Sequence, residues 1–155
     1  MPAVLVILGS KSDIEVGQKA AATLKRFGVE AKIAVASAHR TPDRVKRLVV
    51  SSDADVFIAV AGLSAALPGA IASFTIKPVI GVPVSGKVNL DSILSIIQMP
   101  PGIPVAAVGI DRGENAALLA LEILAIKDAN LASELKKHRK EMADQVEKDS
   151  QEVEG

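Results

Sequence analysis

Five apolar runs recur along the chain: VLVIL (4–8), KIAVA (32–36), DVFIAVA (55–61), PVIGVPV (78–84) and IPVAAVGI (103–110). They are continuous rather than alternating, and rich in β-branched residues. That pattern predicts strands covered on both faces, as in a parallel sheet. Between the runs the apolar period lengthens to three and four. Ile14, Val16, Ala20, Ala21, Leu24 and Phe27 fall on one helical stripe, which Gly28 closes. Thr41-Pro42 predicts a helix start, with Thr41 as N-cap and Pro42 at the first helical position. Further helices are expected within 65–74, 90–97 and 115–126. The alternation of strand and helix predicts one α/β domain. It is a three-layer αβα sandwich around a doubly wound, five-stranded parallel sheet with right-handed crossovers. The tail differs: Leu131, Leu135, His138, Met142 and Val146 recur at helical spacing among many charges. The expected organisation is therefore an α/β domain over 1–128 and an extended amphipathic helix over 129–155. That helix packs on its own domain or on a neighbouring copy.

Composition narrows the chemistry. Hydrophobic residues make up 49 % of the 155 and aromatics 2 %, so the core is built from Ala, Val, Ile and Leu. Eighteen basic and 18 acidic residues balance, which leaves no overall basic face for nucleic acid. Trp and Tyr are absent, so base stacking has little to work with. The absence of cysteine excludes disulfides and thiolate metal sites, and a cytoplasmic setting is the natural expectation. The opening MPAVLVILGSKSD has no basic n-region, and its apolar run is too short for a membrane span. It reads as a first strand.

Ligands of open parallel sheets sit beyond the carboxyl ends of the strands. The segments there are GSKSD (9–13), SAHR (37–40), GLSAALPG (62–69), SGKVNLDS (85–92) and DRGEN (111–115). Ser10 and Ser12 lie near a helix N-terminus, where N–H groups and the helix dipole suit an anion such as phosphate. Asp13 suits a sugar hydroxyl; alternatively, Ser12 or Asp13 simply caps the helix. His39 and Arg40 are adjacent, with Ser37 nearby. Imidazole moves protons near neutral pH, and a guanidinium grips phosphate or carboxylate with a fork of donors. The plainer alternative is a surface His beside a helix-flanking Arg. In GLSAALPG, Gly62 and Gly69 let backbone approach a ligand, or merely make a tight connection. His138, on the charged tail, reads as a solvated or interface residue. GVPVSGKV (81–88) matches G-x-x-x-x-G-K but ends in Val88, so a magnesium hydroxyl ligand is missing, and Asn89-Leu90-Asp91 does not clearly open a helix at the right place for a phosphate loop. A nucleotide triphosphatase is rejected. A flavodoxin would want aromatics, and a receiver domain an Asp after the third strand; the chain offers neither.

The order GSKSD, SAHRTP, a Gly/Ala loop ending in LPG, KPVIGVPV, DSILSIIQMPPGIPVAAVGI and ENAALLALEIL resembles the catalytic subunit of phosphoribosylaminoimidazole carboxylase. The bacterial-type members of that family are N5-carboxyaminoimidazole ribonucleotide mutases of purine biosynthesis. The resemblance runs from about Val4 to about Asp128. It implies a flavodoxin-like fold and a catalytic role for residues 1–128. It implies that Ser10 and Arg40 hold the ribonucleotide phosphate, with Ser12 and Ser37 nearby. Asp13 would take the ribose hydroxyls, and His39 would carry the proton. Gly62, Leu63, Ser64 and Leu67 would line the rest of the substrate site. It also implies a homo-octamer with the QMP segment and C-terminal helix near subunit contacts. An ATP-dependent carboxyaminoimidazole ribonucleotide synthase would be the functional partner. No metal and no organic cofactor is implied.

The resemblance departs at one loop. The bacterial-type pattern ends A-A-H-L-P-G; here Ala66 stands where that histidine would be. The animal-type branch carboxylates aminoimidazole ribonucleotide directly with CO2 and carries G-R-S-N plus a small residue. Gly62, Ser64 and Ala66 echo that pattern, whereas Leu63 and Ala65 do not, and Val82-Pro83-Val84 replaces its Cys-Pro-Pro. Three expectations stand: the mutase, direct carboxylation, and a non-catalytic ribonucleotide-binding protein on the same fold. The presence of Ser10, Asp13, His39 and Arg40 speaks against the last.

Overall fold

The computed structural model describes residues 3–154. The chain divides after Ala120 into two compact units. The first holds a five-stranded parallel sheet: β1 (Val4–Leu8), β2 (Ala31–Val35), β3 (Val56–Ala61), β4 (Val79–Pro83) and β5 (Ala106–Ala107). Helices α1 (Ile14–Arg26), α2 (Pro42–Val50), α3 (Leu67–Ala72) and α4 (Asn89–Ile97) connect the strands, and α5 (Gly113–Ala125) follows β5. The strand order is β2-β1-β3-β4-β5, the doubly wound flavodoxin-like arrangement. Register is in step across the centre, with Val4 beside both Ala31 and Val56.

Every residue of β1, β3 and β4 is buried, as their continuous apolar runs require. Alternate side chains feed two layers. Leu5, Ile7, Phe57, Ala59 and Val79 pack in one core with Val45 and Val49 of α2, Ile71 of α3 and Ile96 of α4. Leu8 points to the other face, where it lies against Gly17 of α1. Gly28 (φ +73°) ends α1 in the left-handed region, as the sequence predicts.

Three expectations need correction. The run 103–110 forms only the two-residue β5, and both residues are exposed. Pro100, Pro101 and Pro104 crowd its approach, and proline cannot donate to a ladder. β2 is an edge strand whose residues are all half-buried or exposed, so full burial fails there too. Asn89 does open a helix, directly after Val88. GVPVSGKV therefore precedes a helix, and the objection to a phosphate loop rests on Val88 alone.

The second unit runs from Leu121 and contains the long helix α6 (Ala129–Glu154). Arg139 pairs with Glu122 at 2.6 Å and Lys140 with Asp144 at 2.6 Å, both on exposed surface. Leu131 is buried, while Met142 and Val146 of the expected apolar stripe are exposed.

Candidate functional site

In this strand order the chain leaves β1 outward to β2 and returns to β3 on the other side. The loops after β1 and β3 therefore diverge, and a crevice opens between them. The Gly9 N–H bonds the Val60 carbonyl at 2.9 Å across that point. A cavity of about 590 Å³ lies there, walled by the loops after β1, β2, β3 and β4. Its lining includes Ser10, Ser12, Asp13, Ser37, His39, Arg40, Gly62, Leu63, Ser64 and Leu67. The residues that the resemblance assigns to the substrate site thus meet in one place, whereas Gly69 and the segment 111–115 do not line it.

The first loop is closed by reciprocal capping. Ser10 is the N-cap of a short 3-10 turn, Lys11–Asp13, that leads into α1. Its hydroxyl oxygen accepts from the Ser12 N–H (3.3 Å) and the Ser12 hydroxyl (3.0 Å), while Asp13 Oδ2 accepts from the Ser10 N–H at 3.0 Å. Ser10, rather than Ser12 or Asp13, is the capping hydroxyl, because its extended backbone aims the oxygen forward at the turn.

The second loop is tied by Thr41. Its hydroxyl accepts from the Ser37 N–H at 2.9 Å and lies 3.2 Å from the Ser37 carbonyl. Thr41 holds the N-cap position as expected but makes no side-chain cap to α2, because its hydroxyl is committed to Ser37. Arg40 reaches back across the strand ends: Nη2 donates to the Gly9 carbonyl at 3.2 Å, and Nε lies 3.4 Å from the Ser37 hydroxyl. One guanidinium thus joins the loops after β1 and β2, with donors left over for an anion. His39 is exposed in the turn of this second loop.

The third loop carries Ser64 in the left-handed region (φ 50°), and its N–H donates to Asp91 Oδ2 of α4. Leu63 is 82 % exposed, and Ala66 is among the residues that line the cavity. In the fourth loop, Ser85 donates its N–H to Asp111 Oδ1 at 2.9 Å; Asp111 is itself left-handed (φ 58°). DRGEN therefore contributes a brace rather than a wall. Sequence reasoning placed Ser85, Asp91 and Asp111 in the segments beyond the strands but gave none of them a role. Two of them act through contacts 26 and 27 residues away, and no local pattern marks such contacts.

Asp13 is the group in the crevice whose titration the fold shifts. Burial holds its carboxyl above the ordinary aspartate value of 3.8; the Ser10 N–H and then the Arg40 charge oppose that rise. The folded chain consequently binds this proton more tightly than the unfolded chain does. Asp13 favours folding fully below 3.8, and that contribution is lost as pH rises through the higher folded value. Asp13→Asn is expected to melt higher than the parent at about pH 7, with the gap closing at about pH 3.5. Thermal denaturation at both pH values checks it; a lower melting point at the higher pH would mean that attraction to Arg40 outweighs burial.

Fold and site together define a doubly wound α/β protein of flavodoxin-like order, with a polar crevice at its switch point. The match to the AIR carboxylase family covers residues 3–145, and the chain belongs to that family. It is 60 % identical over 144 residues to an N5-carboxyaminoimidazole ribonucleotide mutase of Methanocaldococcus jannaschii, covering 92 % of each chain. It is 52 % identical over 147 residues to the protein of that name from Pyrococcus abyssi, covering 92 % of this chain and 84 % of the relative. The crystal structure of Treponema denticola PurE superposes with a TM-score of 0.90 at 32 % identity, covering 98 % of each chain.

Proposed function

We propose that this chain converts N5-carboxyaminoimidazole ribonucleotide into 4-carboxy-5-aminoimidazole ribonucleotide, a step of purine biosynthesis. The observation that carries the reading is the meeting of His39, Arg40, Asp13 and the serine hydroxyls in one crevice. Relatives that bear the mutase name at up to 60 % identity support it. Ser10 and Arg40 hold the phosphate, Ser12 and Ser37 support them, and Asp13 takes the ribose hydroxyls. Gly62, Leu63, Ser64 and Leu67 wall the imidazole end.

The reaction moves a carboxylate from the exocyclic nitrogen to ring carbon C4. The His39 imidazolium donates its proton to that nitrogen; the N–C bond breaks, and CO2 and the free amine result. The electron pair of C4 then attacks CO2 and forms the new C–C bond. Neutral His39 removes the proton from C4, which restores aromaticity and the imidazolium. Protons balance over the cycle. Of the chain's two histidines, His39 lines the cavity, so one imidazole serves both steps. Holding CO2 against C4 is catalysis by proximity, and the apolar Leu63, Ala65, Ala66 and Leu67 suit a small nonpolar intermediate.

The test supplies substrate with a 13C-labelled carboxylate in unlabelled bicarbonate and reads the product by mass spectrometry. Retained label is expected. Unlabelled product formed only from aminoimidazole ribonucleotide and bicarbonate would establish direct carboxylation, the runner-up that Ala66 suggests. Binding without product would leave a non-catalytic ribonucleotide binder.

By the same reasoning the chain acts in the cytoplasm, as a 1–128 catalytic domain with a 129–155 helix, downstream of an ATP-dependent synthase. Among the described residues no helix is long and apolar enough to cross a membrane. We infer a homo-oligomer, an octamer by family resemblance. Leu90, Leu94 and Ile97 of α4 and the nearby Ile103 are exposed and apolar, which supports contact between copies. Light scattering on the full chain reads the count, and a monomer would refute it.

A further inference from the structure

We propose that Asp91 is a positioning residue for the reaction, holding the third loop in its working shape from outside the cavity. The inference rests on the mutase reading. Three observations carry it. Ser64 adopts a left-handed backbone (φ 50°), which a residue with a Cβ enters only at a cost. Its N–H donates to Asp91 Oδ2 at 2.5 Å, a contact 27 residues apart in sequence. Its carbonyl accepts from the Ala66 N–H at 2.6 Å, which closes a tight turn just before α3. The loop is therefore bent at Ser64 and anchored there by one carboxylate.

That carboxylate stands on a firm base. Asp91 is in the first turn of α4. Its own N–H bonds the Val88 carbonyl at 3.2 Å. One residue further on, the buried Ser92 hydroxyl bonds the Asn89 carbonyl at 3.0 Å. The anchor is thus part of a rigid helix, and it does not line the cavity. What it fixes does: Gly62 to Leu67 form the wall nearest the apolar end. A reacting CO2 must be held within bonding reach of C4, and a shift of about 1 Å in such a wall costs up to about 100-fold in rate.

Asp91→Ala removes the anchor, and Asp91→Asn keeps an acceptor oxygen at the same reach. For the alanine variant we expect kcat to fall about 10- to 100-fold. KM should change little, because the phosphate and ribose contacts lie on the other two loops. Asparagine should restore most of the rate. Amide hydrogen exchange should quicken at Ser64–Ala66 in the alanine variant alone, a readout that needs no turnover. A wild-type rate in Asp91→Ala would overturn the proposal. So would a loss of kcat that asparagine fails to restore, or one that merely follows a lowered melting temperature in both variants. If the parent protein itself gives no product, the mutase reading fails instead, and unchanged exchange at Ser64 would then sink the anchoring role as well.

Discussion

His39→Asn is expected to lose about 10²- to 10⁴-fold in kcat while retaining nearly full affinity for the ribonucleotide. Asparagine fills similar space and can still hydrogen-bond, but it cannot take or give a proton near neutral pH. The affinity should survive because the phosphate grip belongs to other groups. Arg40 is oriented by the Gly9 carbonyl and Ser37, and the Ser10 turn is closed by Asp13. None of those bonds involves His39. Steady-state kinetics together with calorimetric binding of the product separate the two effects. Wild-type turnover in the variant would remove His39 from the mechanism, and lost binding would recast it as a ligand contact.

Gly113→Ala should be the most damaging single methyl in the chain. A Cβ at Gly113 would overlap the Val16 carbonyl oxygen and sit 3.2 Å from the Ala20 nitrogen, both backbone atoms of α1. Backbone of one helix cannot rotate aside as a side chain can. Overpacking of that kind costs about 3 kcal/mol. For a domain of this size that is a fall of about 6–12 °C in Tm. Two other glycines calibrate it. At Gly81 the new methyl meets Ile96 Cγ2 at 2.5 Å and Pro68 Cγ at 3.1 Å; at Gly17 it meets Leu8 Cδ2 at 2.5 Å. Those neighbours are side chains, and the Leu8 end is the most adaptable. Thermal melts should therefore rank the losses Gly113 above Gly81 above Gly17. Equal losses would mean that α1 and α5 can part at little cost.

The strands and loops around these residues show what a linear reading captures. β1, β3 and β4 were legible because each is buried on both faces, so hydrophobicity alone marks them. The ligand loops were legible for a topological reason: parallel strands all deliver their carboxyl ends to one side. Once the strands were placed, GSKSD, SAHR and GLSAALPG had to converge. DRGEN was misread by that logic. It has the composition of a ligand loop, yet Asp111 braces Ser85 from behind and Gly113 answers to the backbone of α1. Both roles depend on partners remote in sequence, and composition carries no record of a partner. Thr41 shows the same limit on a smaller scale: its position was predictable, but whether its hydroxyl serves α2 or Ser37 is a matter of three-dimensional competition.

The two borders of the sheet have a consequence for the chain's behaviour at high concentration. A long bare strand edge invites a second molecule to add its own strand, and then a third, without limit. Here one border is β5, only two residues long and approached through prolines. The other is β2, which carries the exposed Lys32 in mid-sheet register beside Leu5. Neither offers a flat, uncharged ladder to copy. Open-ended growth by strand addition is discouraged at both ends, and the exposed apolar residues Leu90, Leu94 and Ile97 lie on a helix, where no unpaired backbone ladder is offered for copying.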